Sequence, residues 1–335
     1  MFMIYKKDTT KIKNASIYLA ILLMLYYKHK NTRGTMMNVK KLRNPYYIKR
    51  ELSYISLYLP ALLLFLLFVV WPLLQAIYFS MTDWDGISST YHFQGLKNYI
   101  TFFRDTYVLH STIATLKYTV AVTIAQNMTA LALALALNQK FRSRNVLRTV
   151  FFLPSLFSPL VVGYIWSFLF SDPLMKMGKA LGLDILGNNI LGSEQWAIFA
   201  AAFVTVWRSS GWTMMIYLAS LQNVPQELCE AAAVDGAGYW KQLRHIVLPM
   251  IASAFTINFI LVFERSLKDF DSIFALTNGG PGDSTMTIAL NIYRESFFYS
   301  RGSYGTTIGV VLFVVMVILT IIQLKFFQKG EAKLE

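Results

Sequence analysis

Six stretches of this chain are apolar over about 20 residues or more, the length a helix needs to cross a hydrocarbon core of about 30 Å. They lie near residues 54–80, 109–137, 149–170, 196–221, 249–273 and 306–327. Runs such as PALLLFLLFVVWPLL (60–74) and TTIGVVLFVVMVILTII (306–322) have no polar face to turn toward water. Lipid offers no partner to a backbone N–H or C=O, so each run must satisfy its own hydrogen bonds as a helix. The expected fold class is therefore all-α and polytopic in a membrane. Composition agrees: 55% of the 335 residues are hydrophobic and only 15% are charged, against about a quarter in soluble domains.

The six stretches are not alike. Lys117, Gln126 and Asn127 interrupt the second, LKYTVAVTIAQNMTALALALAL (116–137), and Glu264, Arg265, Lys268, Asp269 and Asp271 crowd the second half of the fifth. A seventh run, ASIYLAILLMLYY (15–27), is short and flanked by lysines. Residues 1–53 are expected to form a basic cytoplasmic extension. Met36 or Met37 is a plausible true start, and an uncleaved signal-like segment is the alternative reading of residues 1–36. Residues 54–330 then form the transmembrane domain, and 331–335 a cytoplasmic tail.

Lys and Arg residues orient the spans, because cytoplasmic loops carry them in excess. With the N-terminus cytoplasmic, that side holds 21 of the 31 Lys and Arg residues, the opposite side six, and the spans four: Lys117, Arg208, Arg265 and Lys268. Both termini are thus expected to be cytoplasmic, in a cell membrane. The same split explains the +13 net charge by topology and attraction to membrane lipid, so nucleic acid is not an expected partner. A single cysteine, Cys229, excludes a disulfide framework and a CxxC metal site.

Between the fourth and fifth spans, in a loop over 222–249, lies EAAAVDGAGYWKQLRHIVLPM (230–250). Pro225 suits the first turn of a helix. Glu227 and Glu230 favour its positive start, and the alanines propagate it. Leu228, Ala231, Ala232 and Asp235 fall on one face. Gly236 and Gly238 permit a sharp end, after which Tyr239, Trp240, Leu243, Ile246 and Val247 form an amphipathic pattern leading into Leu248-Pro249. The expectation is a short helix, a glycine turn and a second helix.

Glu230-Ala231-Ala232, three residues, Gly236, nine residues, then Ile246-x-Leu248-Pro249 resembles the EAA loop of ABC importer permeases at every defining position. In that family the loop is the coupling helix, which docks in a cleft of the cytoplasmic ATPase subunit. The resemblance implies a type I importer fold of six transmembrane helices, with Glu230, Ala231, Ala232, Asp235, Gly236, Ile246, Leu248 and Pro249 coupling to the ATPase. Over roughly residues 50–330 the chain resembles the carbohydrate branch, whose best-known member is the larger membrane subunit of the maltose importer. SMTDWDG (80–86), FQGLKNY (93–99), LNQKFRSRNVLRTVFFLP (137–154), Trp207-Arg208 with Gly211, and LTNGGPGDST (276–285) carry that likeness. It implies as partners a second permease subunit, two ATPase subunits, an extracytoplasmic solute-binding protein and a saccharide. The segment 81–108 and LTNGGPGDST are candidate contacts for the binding protein.

No Walker A pattern is present, so the chain needs no cofactor of its own and ATP with Mg²⁺ is expected on the partner ATPase. The chain is not expected to be an enzyme. Polar side chains within spans usually face a cavity or a partner. Thr205, Arg208, Ser209 and Trp212 share one face of the fourth span, and Val262, Arg265, Ser266 and Asp269 repeat the spacing on the fifth. The resemblance implies that these two faces line a sugar pocket. The alternative reading is structural, with Arg265 pairing Asp269 and Arg208 closing that network. Lys268 and Asp271 are expected nearer the outer surface, as a gate or loop anchor. So much charge departs from the largely neutral pocket of the maltose type, and suits an acidic saccharide or a phosphorylated polyol.

Two other classes compete for the same residues. A membrane enzyme would use Glu264, Asp269 and Asp271 with His245 or His110. A proton-coupled secondary transporter would use Glu264 and Asp269, but no inverted repeat is visible and the EAA loop would be idle in it.

Overall fold

A computed structural model describes residues 58–183 and 187–331, and their side chains as far as 327. The expectations for residues 1–53, for the run at 15–27 and for the end of the tail lie outside the described residues. The chain divides into two units, Met1–Pro72 and Leu73–Glu335. All regular secondary structure among the described residues is helical apart from one isolated bridge, Thr82 to Phe93.

Helix α1 (Tyr58–Phe79) is long and apolar enough to cross a membrane. It opens into a π turn at Leu66–Val70, where the Trp71 amide donates to the Leu66 carbonyl. Pro72 follows directly. Its ring crowds the preceding turn and it lacks an N–H, and a π turn is one way a helix absorbs both.

The second unit is built on α3 (Thr106–Asn138) and α7 (Ala197–Leu221), which pack along each other; α2 (Lys97–Arg104), α4 (Arg144–Phe152), α5 (Pro159–Ser171) and α6 (Pro173–Leu181) occupy the segments around and between them. A ladder of buried polar pairs sets the register. Tyr118 Oη meets Thr205 Oγ1 at 2.7 Å and Gln126 Nε2 donates to Thr213 Oγ1 at 2.7 Å, both pairs 87 residues apart. Tyr217 Oη donates to Asn127 Oδ1 at 2.7 Å further along. Pairs at constant separation mean that α3 and α7 run parallel. The chain between them must therefore return to the end from which it left. It does so through α4, continued as a 3₁₀ turn at Leu153–Leu156, and then α5 and α6, with a bend of 96°. The bend falls at Phe157 and Ser158, both extended, which is what Pro159 imposes on the residue before it.

Beyond α7 come α8 (Gln226–Val234), α9 (Tyr239–Met250) and α10 (Ala252–Leu267). The last runs antiparallel to α7. Ile251 and Ala254 share a core with Leu218 and Leu221, Asn258 Nδ2 donates to the Thr213 carbonyl at 3.3 Å, and Arg265 reaches Trp212. Helices α9 and α10 meet at 67°, just after Pro249 and a π turn at Leu243–Val247, two recognised causes of kinks. After α11 (Asp271–Leu276) and α12 (Ile288–Tyr293), α13 (Gly302–Glu331) returns beside α10. Thr320 Oγ1 donates to Glu264 Oε1 at 2.8 Å, and Phe327 packs on Phe255 and Phe259.

Three described helices pass as spans outright: Tyr58–Phe79, Thr106–Asn138 and Gly302–Phe327. The two bent pairs, α4 with α5–α6 and α9 with α10, pass when each is taken as one span. The expected third and fifth stretches are thus broken helices rather than straight ones, and α10 stops at Leu267, short of the expected 273. Helix α7 is continuous over 25 residues, about 37 Å at 1.5 Å per residue, but Arg208, Ser209 and Ser210 dilute its apolarity. One end of this unit gathers residues 80–105 and 277–301; the other gathers 139–143 and 222–250.

Candidate functional site

A cavity of about 580 Å³ opens between α7, the end of α10 and the bend before α5, lined by Ser155, Pro159, Arg208, Ser209, Trp212, Arg265, Lys268, Asp269, Phe270 and Asp271. That volume lies within the usual range for small-molecule sites, about 300–1,000 Å³. Gly211 brings its walls together. A Cβ on Gly211 would stand 2.0 Å from the Phe151 carbonyl oxygen and 2.8 Å from the Phe152 Cα, so α4 is seated directly on the α7 backbone. Ser155 and Pro159 reach the cavity because of that contact.

Five of the eight residues expected on the two helix faces line the cavity: Arg208, Ser209, Trp212, Arg265 and Asp269. The Arg265 guanidinium lies over the Trp212 ring, 5.1 Å from its centroid, a cation–π contact. Ser209 is 1% exposed and its hydroxyl has no partner among the described residues. Thr205, Val262 and Ser266 sit behind the wall. Thr205 is engaged by Tyr118, Val262 belongs to the apolar core, and the Ser266 hydroxyl donates to the Val262 carbonyl of its own helix at 2.7 Å. The i, i+3, i+4 spacing placed them on the right faces, but those faces are wide and the cavity touches only one edge.

Arg265 and Asp269 do not pair, and among the described residues no carboxylate lies within ion-pair distance of Arg208, Arg265 or Lys268. Asp269 is held instead by Tyr118 Oη, which donates to its Oδ2 at 2.5 Å, and by the Ser272 amide, which donates to its Oδ1 at 3.2 Å. The helix break between α10 and α11 leaves Asp269 and Phe270 outside regular structure, and Lys268 and Asp271 line the cavity beside them.

At the other end of α10, the loop over 222–249 folds as a helix, a glycine turn and a second helix. Pro225 sits one residue before α8 rather than inside its first turn. The helix ends in a Schellman arrangement: the Ala237 amide donates to Ala232 O at 2.8 Å and the Gly236 amide to Ala233 O at 3.0 Å. This requires a left-handed residue after the cap, and Gly236 has φ +81° with nothing within 4 Å of a Cβ placed there. Glu230, Ala231 and Asp235 are exposed, Ala232, Ile246 and Pro249 half-buried, and Leu248 36% exposed. Apolar residues that a monomer would hide point outward: Val234 is 89% exposed and Trp240 77%.

At the opposite end, LTNGGPGDST is a self-tied loop. Thr277 and Thr285 hydroxyls meet at 2.7 Å, Thr285 Oγ1 donates to Gly280 O at 2.7 Å, and Arg294 binds Asn278 O and Asp283. SMTDWDG packs against the start of α13, where the Ser303 amide donates to Trp84 O at 2.8 Å.

Residues 127–332 match the family described as "Binding-protein-dependent transport system inner membrane component". This stretch contains the loop over 222–249 and both helix faces of the cavity. The chain belongs to that family. It is a multi-pass inner-membrane permease of the ABC importer class, and ATP hydrolysis is the work of partner subunits. This permease is 35% identical over 288 residues to a probable starch degradation products transport system permease protein, AmyD, of Thermoanaerobacterium thermosulfurigenes, covering 86% of this chain and 98% of that one. It is 31% identical over 295 residues to the multiple sugar-binding transport system permease protein MsmF of Streptococcus mutans (88% and 100%). It is also 31% identical over 293 residues to the sn-glycerol-3-phosphate transport system permease protein UgpA of Salmonella typhimurium (85% and 96%). Among solved structures, a chain of a bacterial ABC transporter involved in import of the acidic polysaccharide alginate superposes with a TM-score of 0.73 at 22% identity, covering 84% of the permease and 97% of that chain. The fold is therefore that of an ABC importer permease.

Sequence reasoning missed Tyr118, Ser155, Pro159 and Phe270. Tyr118 had a signal, as an aromatic hydroxyl in an interrupted apolar span beside Lys117. Ser155 and Pro159 had none, because only the fold brings that bend to α7.

Proposed function

We propose that this permease forms one half of the path of an ATP-driven, binding-protein-dependent saccharide importer. A second permease completes the path, two ATPase subunits drive it, and a solute-binding protein delivers the substrate on the outer side. The reading rests on one observation above all: a single helix, α10, joins the exposed loop at one end to the polar, aromatic-walled cavity at the other. Relatives named for sugar and starch-product transport support the substrate class.

In this reading the chain crosses the membrane six times, with residues 54–330 as the transmembrane domain and both termini in the cytoplasm. Glu230, Ala231, Ala232, Asp235, Gly236, Ile246, Leu248 and Pro249 meet the ATPase, and Val234 and Trp240 are covered by it. Arg208, Ser209, Trp212, Arg265 and Asp269 touch substrate, while Thr205, Val262 and Ser266 support them. Trp212 offers a ring to the apolar face of a sugar, and Asp269 serves its hydroxyls. Residues 81–108 and LTNGGPGDST meet the binding protein. Affinity purification of the tagged chain from its own membranes tests the assembly: an ATPase subunit is expected to co-purify, and its absence defeats the proposal.

A further inference from the structure

The charge of the cavity wall is not balanced. Three cations, Arg208, Arg265 and Lys268, face two carboxylates, Asp269 and Asp271, and no ion pair joins the groups. Asp269 already accepts a bond on each oxygen, from Tyr118 and from the Ser272 amide. The cations have no such partners, and Ser209 adds an unpartnered hydroxyl donor, almost wholly buried. The cavity therefore has donors and positive charge to spare. Unpaired charge within a membrane is costly and persists where a partner is to be met.

We infer that the saccharide this cavity takes carries an anionic group, held by the guanidinium groups of Arg208 and Arg265 with Ser209 donating beside them. Guanidinium presents a planar fork that matches carboxylate and phosphate oxygens in pairs, which an ammonium group cannot do. Trp212 lies under Arg265, its ring centroid 5.1 Å from the guanidinium carbon. A uronate and a sugar or polyol phosphate present the same chemistry to this site. The inference rests on the saccharide-importer reading and narrows it.

The test uses the whole complex, with its binding protein, in proteoliposomes. Uptake is measured for uronate oligosaccharides, for phosphorylated sugars and polyols, and for neutral oligosaccharides. Wild type is compared with Arg208→Gln, Arg265→Gln and Arg265→Lys, each checked for assembly by gel filtration. Lys176→Gln removes a cation paired with Asp172 outside the cavity and serves as the charge control. Uptake of an anionic class is expected, with KM raised about 10- to 100-fold in the Gln variants, the worth of a charged hydrogen bond. Arg265→Lys should fall between, and Lys176→Gln should match wild type. The arm that is transported tells uronate from phosphate. Uptake of neutral saccharides alone, or of an anion with wild-type KM in both Gln variants, overturns the inference and leaves the saccharide reading standing. An assembled, ATP-hydrolysing complex that moves none of the three classes overturns both.

Discussion

The loop over 222–249 and the cavity wall are both polar interruptions of an apolar chain, yet they are built in opposite ways. The loop turns on its own backbone: a Schellman turn closes its first helix, Val234 and Trp240 face outward, and a Cβ on Gly236 would touch nothing. The cavity wall is held by distant residues. Tyr118 reaches from α3 to Thr205 and Asp269, and Gly211 admits the backbone of α4. A surface made for another molecule needs only local rules, and local rules are legible in sequence. A cavity needs the assembled fold.

The two glycines offer the strongest break of this contrast. Gly211→Leu forces a side chain into the Phe151 carbonyl, and overpacking of this kind costs about 3 kcal/mol or more. We expect no recoverable complex by gel filtration. Gly236→Ala meets only backbone strain, about 1 kcal/mol, and should purify normally. If both behave alike, the distinction between local and assembled construction fails.

Next in size is the loop itself. Glu230→Lys, on an exposed side chain, should leave the melting temperature of the isolated chain within the range of ordinary surface changes, about 0.5 kcal/mol. It should nonetheless abolish saccharide-dependent stimulation of the ATPase. Gly236→Pro should do the same and also lose the 5→2 turn bond. Wild-type transport in both variants would refute the coupling role.

Tyr118→Phe sharpens the other side. It removes the hydroxyl shared by Thr205 and Asp269 and leaves both short of a partner, a loss of about 1–3 kcal/mol. Calorimetry should register that loss, and KM should rise while ATPase activity without substrate stays constant. An unchanged KM would reduce Tyr118 to a packing residue.

The smallest effect concerns the outward turn at Asp85. Its carboxyl is lowered to about 2 by the Ser88 hydroxyl and then by the Ile87 and Ser88 amides. A depressed carboxylate stabilises its turn above the unfolded value, about 3.9, and that contribution is lost as pH falls through the folded one. Trp84 Nε1 donates to the Ser88 carbonyl at 2.9 Å, so Trp84 fluorescence should change as pH drops from about 4 to about 2, and Asp85→Asn should abolish that change. Like the EAA loop, this turn is self-contained, and the cavity should not respond.

Helix existence was legible throughout, because apolar runs of this length admit little else. Breaks were half legible. Pro159 and Pro249 announce bends, but the end of α10 at Leu267 has no proline behind it. Within the site, helical spacing found the faces, and five residues on them proved to line the cavity. It could not separate Arg208 from Thr205, three residues away on the same stripe, since what parts them is a tyrosine 87 residues earlier.

Helix α10 spans 16 residues, or about 24 Å at 1.5 Å per residue. It has a kink at its loop end and a break at its cavity end. Between those two joints the helix is continuous. A tilt of about 10° pivoting on Ile251 would carry Arg265 sideways by about 4 Å, given that rise per residue. That displacement exceeds the length of any hydrogen bond. In the proposed function, a push at the loop too small to unfold a single turn would thus be enough to take Arg265 out of reach of a bound substrate.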